Sequence, residues 1–250
     1  MTVETVTFTP IAHIQSCYPE RFGIPRQAGL VNSAYADIVF RATENNKLAL
    51  RGIEEFSHLW VLFVFHNQQK FNQPNREFRP LVRPPRLGGN KSVGVYATRS
   101  PNRFNPVGMS AVQLVNLQEN TTKKEIRLRV QGGDFLDGTP VIDIKPYVPY
   151  SDALSHAQGA WATGQDDLLP VQWSPKAVAV LVKDRNCDRI RQLIAETLAQ
   201  DPRPGYERGK DGRPGQRWNM QIDRYSVFWT VCQGIAEVTE LTVISRPTLE

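Results

Sequence analysis

Eight basic side chains fall within residues 70–103: Lys70, Arg76, Arg79, Arg83, Arg86, Lys91, Arg99 and Arg103. Glu77 alone opposes them, so the stretch carries +7, against +5 for the whole chain. Six of the eight are arginines, whose planar donor fork grips phosphate and carboxylate at two points. Pro74, Pro80, Pro84 and Pro85 keep much of the stretch in loops, and Phe71, Phe78 and Tyr96 are interleaved with the charges. Basic loops with aromatic rings are a footprint for nucleic acid. The same pattern also serves small anions or a solvated surface.

Other chemistry is sparse. His13, His58, His66 and His156 are scattered, and a lone histidine is more often a satisfied strand residue than a ligand. Cys17, Cys187 and Cys232 are odd in number and lack a C-x-x-C spacing, so neither a disulfide framework nor a metal site is expected. The sequence holds no phosphate-binding P-loop, no Rossmann G-x-G-x-x-G after a strand, no H-E-x-x-H and no G-x-S-x-G.

The elements that must position these residues follow from composition and patterning. The 250 residues are 40% hydrophobic and 22% charged, which supports a packed core and argues against disorder. The apolar run at 61–65 is far short of the ~18 residues of a membrane span. Met1-Thr2-Val3-Glu4-Thr5 has neither a basic nor an apolar leader, so a cytoplasmic protein is expected.

Short β signals dominate the first 150 residues, at 8–15, 36–40, 58–66, 93–97, 107–117, 126–131 and 141–144. The 58–66 run predicts a strand buried on both faces. Ile126, Leu128 and Val130 alternate with Arg127, Arg129 and Gln131, which predicts a half-exposed strand. Gly88-Gly89-Asn90 and Asp137-Gly138 predict hairpin turns. Many strands with almost no helical pattern between them predict a mainly β protein, an antiparallel β-barrel or sandwich. Composition changes near Gln158. The expected division is a barrel over 1–157, a linker over 158–175 and a small α+β domain over 176–250. That domain has a helix through Ile190, Leu193, Ile194, Thr197 and Leu198, capped by Asn186 or Asp188, and strands at 217–222, 225–232 and 235–243.

Several dense motifs carry a resemblance. They are Ile24-Pro25-Arg26-Gln27-Ala28-Gly29-Leu30-Val31, the strand His58 through His66, and Arg83-Pro-Pro-Arg-Leu-Gly-Gly-Asn90. Gly94-Val95-Tyr96-Ala97-Thr98-Arg99-Ser100, Arg103-Phe-Asn-Pro-Val-Gly108 and Asp137-Gly-Thr-Pro-Val-Ile-Asp-Ile-Lys-Pro-Tyr147 continue the series. In this order they resemble the TsaA-like family of bacterial tRNA (threonylcarbamoyladenosine) methyltransferases, over nearly all of residues 8–150. Asp201-Pro-Arg-Pro-Gly-Tyr206 resembles the family's C-terminal extension. The resemblance implies a non-Rossmann, TsaA-like β-barrel that uses S-adenosyl-L-methionine. It implies methylation of the exocyclic nitrogen of threonylcarbamoyladenosine at position 37 of a threonine-accepting tRNA. It also implies a homodimer, and the apolar, Pro-rich loops of 80–108 are the expected subunit boundary. A non-catalytic RNA-binding barrel, or a family methyltransferase with another adenine-containing substrate, are the alternatives.

Carried over position by position, the resemblance puts the cofactor at Pro25, Arg26, Gln27, His66, Asn67, Arg99, Leu114, Asp137, Gly138, Thr139 and Pro140. Two positions depart from the family pattern. Phe104 follows Arg103 where the family has Arg-Pro-Asn-Pro-Ile-Gly, and Asn67 stands where Gln is common. The residue chemistry is compatible. Asp137 suits a ribose or amine donor, or simply a turn. Gln27 and Asn67 suit either end of the ligand, or loop capping. Arg26 and Arg99 suit the cofactor carboxylate or an RNA phosphate. Arg76, Arg79, Arg83 and Arg86 lie outside the cofactor positions and are expected at tRNA phosphates, or as braces of the Pro84-Pro85 loop. Asp137, Asp143, His66 and Tyr147 are candidate proton acceptors, among which the sequence does not choose.

Overall fold

The computed structural model describes residues 6–66, 78–162, 164 and 167–244. In chain order the elements are β1 (Ala12–Ser16), β2 (Tyr35–Arg41), α1 (Glu44–Ala49), β3 (His58–Val64), β4 (Leu81–Val82) and β5 (Val93–Gly94). Then come β6 (Val107–Asn120), β7 (Glu125–Gln131), β8 (Pro140–Pro146), α2 (Pro149–Asp152) and β9 (Val171–Trp173). The chain continues with α3 (Pro175–Leu181), α4 (Cys187–Ala199), β10 (Trp218–Ile222), β11 (Tyr225–Cys232) and β12 (Ile235–Val243). The protein is mainly β with few helices.

The first sheet runs β1-β2-β7-β6-β3-β8 and returns to β1. Every pairing is antiparallel. The closing seam is short: Ala12 faces Val141 and His13 faces Pro140. β6 serves two neighbours in turn. Residues 107–113 pair with β3, and 113–120 pair with β7 across a bulge at Leu114/Asn116. Such a bulge turns a strand's face, which lets one long strand span both partners.

Alternation decides the inside. Ile126, Leu128 and Val130 are buried with Ile14, Ile38, Leu59, Val61 and Phe63. Outside, Arg129 makes a two-point contact with Asp37 at 2.8 and 3.0 Å, and Arg127 donates to Gln15 and Asp37. β3 alternates too, with Leu59, Val61 and Phe63 buried and the residues between them only partly covered. It is therefore half-buried rather than covered on both faces, because the ring has a single interior. Gly108 faces Phe63 across the β3–β6 ladder. A Cβ there would lie 2.4 Å from the ring, so only glycine fits.

The second sheet is β10-β11-β12-β9, with β9 parallel to β12. α3 and α4 pack on it. Ile190, Leu193, Ile194, Thr197 and Leu198 form the buried stripe of α4, as their spacing predicts. Two expectations are corrected here. The stretch 158–175 is not all linker, since it contains β9, a strand too short for its composition to reveal. α3 was not expected, although its start is well marked: Pro175 occupies its first turn and the Ser174 hydroxyl accepts from the Ala177 amide. Asn186 precedes α4, but its side chain makes no capping bond.

The core of the second unit also borrows from the first. Cys17, Tyr18, Val31 and Ala34 are buried with α3, α4 and β10–β12, and Phe22 and Ile24 pack against them. Residues 17–34 therefore tie the two units together. Other bounds shift as well. Residues 93–97 form only β5 and a 3-10 turn at Val95–Ala97. Gly88 and Gly89, both at positive φ, turn the chain between the paired β4 and β5. Asp137-Gly138 is not a hairpin turn, because β7 and β8 do not pair; the turn docks on β1 instead.

Candidate active site

Four separate stretches of chain meet at one end of the first sheet. The turn at 132–140 is pinned to β1 and its continuation. The Gly138 amide donates to Ile14 O at 2.8 Å, Ile14 N donates to Thr139 O at 2.9 Å, and Asp137 N donates to Tyr18 O at 2.9 Å. The Asp137 carboxylate accepts the Ser16 amide at 2.7 Å, and the Thr139 hydroxyl donates to Leu136 O at 2.7 Å. Gly138 sits at φ 76, which favours glycine. A Cβ there would stand 3.8 Å from His66 Nε2, which places the imidazole over the turn.

The loop at 25–29 docks on the same turn. Gly29 N donates to Gly132 O at 2.8 Å, and the Ala28 amide donates to the Asp134 carboxylate. Asp134 also accepts the Ser110 hydroxyl at 2.6 Å. Arg99 reaches across to Gln27, Nη1 to Oε1 at 2.5 Å. Beneath the turn, Phe63 meets Phe65 and Phe135 edge-on, each at 5.2 Å between ring centres. That packing holds the turn from below.

Burial pushes the Asp134 carboxyl above its ordinary value, against the Ser110 hydroxyl, backbone amides and the charge of Arg99. Loss of water around the His66 ring, helped by the charge of Arg21 and opposed by Asp137, lowers its pKa. His66 is therefore neutral over more of the physiological range than a free histidine.

Most positions expected at the cofactor converge. Gln27, Arg99, Asp137, Gly138, Thr139 and His66 are linked by the contacts above, and Pro25 and Arg26 lie on the docked loop. Pro140 begins β8 beside His13. Leu114 is placed differently: its side chain belongs to the core, and its amide donates to Ser57 O at 2.8 Å. Asn67 lies outside the described residues, as do Lys70 and Arg76. Tyr147 packs on Trp60 and His58, with its amide bonded to His58 O. Eight residues of extended chain separate His58 from His66, about 26 Å, so Tyr147 is far from the cluster. Asp143 pairs with Lys145 at 2.9 Å and faces Leu62.

Asp134 and Ser110 escaped the sequence reading. The available signal was Gly132-Gly133-Asp134, a turn closing the alternating strand, but nothing local says that its acid meets residue 28. A groove of about 860 Å³, lined by Asp37, Arg129, Arg189 and Asp223 among others, lies between the two units and contains none of the expected cofactor residues. Among the described residues no cluster of three or more His, Cys, Asp or Glu has metal-site geometry, and no helix is long and apolar enough to cross a membrane.

The basic loop is divided. Arg79 and Arg83 are exposed. Arg86 donates to Gly164 O, so it braces the loop. Pro85 touches the Asp201–Tyr206 motif: a Cβ on Gly205 would lie 2.9 Å from Pro85 O. In that motif Arg203 is 1% exposed and grips Asp201 at 2.7 and 2.8 Å.

With this geometry in place, comparison with known proteins is direct. Residues 13–153 match the family described as tRNA-methyltransferase O N-terminal domain, and residues 166–244 match the TrmO C-terminal domain. The chain is 40% identical over 237 residues to the tRNA (adenine(37)-N6)-methyltransferase of Escherichia coli K12, covering 94% of this chain and 97% of that protein. It is 41% identical over 229 residues to a putative S-adenosylmethionine-dependent methyltransferase, RcsF, of Pseudomonas aeruginosa, covering 90% of this chain and 92% of that one. Its fold is similar to the crystal structure of TrmO from Pseudomonas aeruginosa, with a TM-score of 0.75, 32% identity and coverage of 96% and 99% of the two chains.

Proposed function

This chain belongs to the tRNA-methyltransferase O family, and from that we infer that it is an S-adenosylmethionine-dependent tRNA methyltransferase acting on the exocyclic N6 of an adenine. The observation that carries the reading is that both family domains match in order over nearly the whole chain. The finer reading is that the adenine is threonylcarbamoyladenosine at position 37 of a threonine-accepting tRNA, in the cytoplasm. It rests on the sequence resemblance. So do assembly as a homodimer and the interpretation of the closed six-stranded ring as the family's barrel.

The site's donor set fits S-adenosylmethionine. Arg99 beside Gln27 suits a carboxylate, and Asp137 suits a ribose diol or an amine. The turn around Gly138 brings backbone close enough to recognise an adenine edge. When bound, that cofactor supplies a sulfonium-activated methyl group. The chain's own task is then mostly placement. The loop at 25–29, held to the 132–140 turn, would hold the donor's methyl group for in-line approach by the adenine nitrogen, and such orientation would supply much of the rate. The nitrogen must also lose a proton. His66 and Asp137 stand at the cluster, whereas Tyr147 stands about 26 Å of strand away. Neutral His66, with its lowered pKa, has a ring nitrogen suited to accept that proton.

The test is methyl transfer from labelled S-adenosylmethionine to tRNA from a strain lacking the enzyme, followed by nucleoside analysis. A methylated threonylcarbamoyladenosine is expected. Binding of tRNA without cofactor uptake would return the non-catalytic RNA-binding reading. Transfer to an unmodified adenine would remove the finer substrate assignment. Light scattering at micromolar concentration tests the dimer.

A further inference from the structure

The basic loop carries an aromatic cluster that the cofactor site does not use. Phe78 stands 5.5 Å from Phe104, edge to face, and 6.4 Å from Tyr96 at a shallow 32°. The Arg103 guanidinium lies 5.9 Å from the Tyr96 ring centre. Backbone contacts build this grouping. Val95 N donates to Pro80 O at 2.8 Å, which brings residue 78 beside residue 96. Arg103 donates to the carbonyls of Thr98 and Ser100, folding residues 98–103 back on themselves. Two of the rings are open to solvent: Tyr96 is 72% exposed and Phe104 is 63% exposed. Grouped rings left in water mark a binding surface more often than scattered ones do.

Location and charge choose the partner. Tyr96 is three residues from Arg99, at most about 10 Å of chain, so the rings flank the cofactor cluster. Residues 78–103 contain Arg79, Arg83, Arg86, Lys91, Arg99 and Arg103 and no acid. A second copy of the chain, itself +5 overall, brings no excess of negative charge to this all-positive patch. Single-stranded RNA supplies what the surface lacks: phosphates for the arginines and flat bases for the rings.

We propose that Tyr96 and Phe104, supported by Phe78, form a stacking platform for unpaired bases beside the adenine to be methylated. The proposal rests on the tRNA-methyltransferase reading and deepens it. Phe104 stands where the resembling family has proline, so this ring is a property of this chain.

The test uses the full-length protein and a fluorescein-labelled anticodon stem-loop RNA, with a blunt duplex as comparison. Stacking by one ring is worth about tenfold in affinity. Phe104→Ala and Tyr96→Ala should each weaken stem-loop binding about tenfold, and Phe104→Tyr, which keeps a ring face, should restore it. The salt slope should stay at the wild-type value, because no phosphate contact is lost. S-adenosylmethionine binding by calorimetry should not change. A 2-aminopurine in the loop should lose its protein-induced fluorescence change in Phe104→Ala. Wild-type affinity in both alanine variants would overturn the platform, as would an equal loss on duplex RNA. So would weakened self-association with RNA affinity unchanged, which would hand the surface to a second copy. Failure of a wild-type protein that methylates tRNA to bind the stem-loop would overturn the platform and leave the enzymatic reading in place; absence of both binding and methyl transfer would remove that reading.

Discussion

Asp134 offers a sharp perturbation, because its carboxylate supports two strands of the site at once. It accepts the Ser110 hydroxyl at 2.6 Å and the Ala28 amide, and it lies within the field of Arg99. Asp134→Ala strands both donors. Each buried donor left unsatisfied costs about 1–3 kcal/mol, so the variant should lose roughly 2–5 kcal/mol of stability after partial relaxation. Asp134→Asn behaves differently. Burial raises the folded-state pKa above the unfolded one, so the ionised form is the costly one. The site's contribution to stability is complete below the unfolded carboxyl pKa and is lost as pH rises through the folded value. At neutral pH the amide removes that cost, so Asp134→Asn should melt at or above the wild-type temperature. As pH falls into the acid range, the wild type should gain on it. The amide carries no charge, however, and Arg99 loses its counter-charge. S-adenosylmethionine binding should therefore weaken by about tenfold, the 1.4 kcal/mol of one good hydrogen bond. Thermal melts across pH and calorimetry with the cofactor measure both halves. An Asp134→Asn protein that is clearly less stable at neutral pH yet binds cofactor normally would refute this account of Asp134.

Gly108→Ala should lower the melting temperature by several degrees. Its Cβ would overlap a Phe63 ring that Phe65 and Phe135 hold in place, and overpacking of this kind costs about 1–3 kcal/mol. Arg203→Ala leaves the buried Asp201 carboxylate unpaired and should cost about 3–5 kcal/mol, seen as a lower urea midpoint; an unchanged midpoint would mean water replaces the pair. Asp184 has a pKa lowered to about 2 by the Tyr225 hydroxyl, the Asn186 amide and Arg224. Its stabilisation is present above the unfolded carboxyl pKa and is lost as pH falls through about 2. Tyr225→Phe should therefore bring acid unfolding to a higher pH, and identical acid titrations would argue against that bond. Arg83→Ala should reduce the salt slope of tRNA binding by roughly 0.7–0.9. Arg86→Ala should instead lower thermal stability, since its guanidinium holds Gly164 O.

Much was legible in the chain itself because it is local. Ile126, Leu128 and Val130 alternating with arginines specify a half-exposed strand, and residues 190–198 specify a helix with one buried stripe. Each pattern repeats within a few residues, and the burial of one face enforces it. The motifs carried the expected cofactor positions from Pro25 to Pro140, by resemblance alone. Tertiary structure decided what the motifs meet. Asp134 reaches Ala28 and Arg99 reaches Gln27, the latter across 72 residues and the former across more. No periodicity records such contacts, because they arise only when the ring of strands closes and fixes the loops at one end. Closure also parts Tyr147 from Asp137: the two share a motif, but Tyr147 leaves along β8 toward His58. β9 was hidden for the complementary reason. Three residues are too few to show alternation, and only the edge of β12 gives them a strand to join. Phe104 reads in sequence as a departure from a proline. Its neighbours Phe78 and Tyr96 become neighbours only because Val95 bonds back to Pro80.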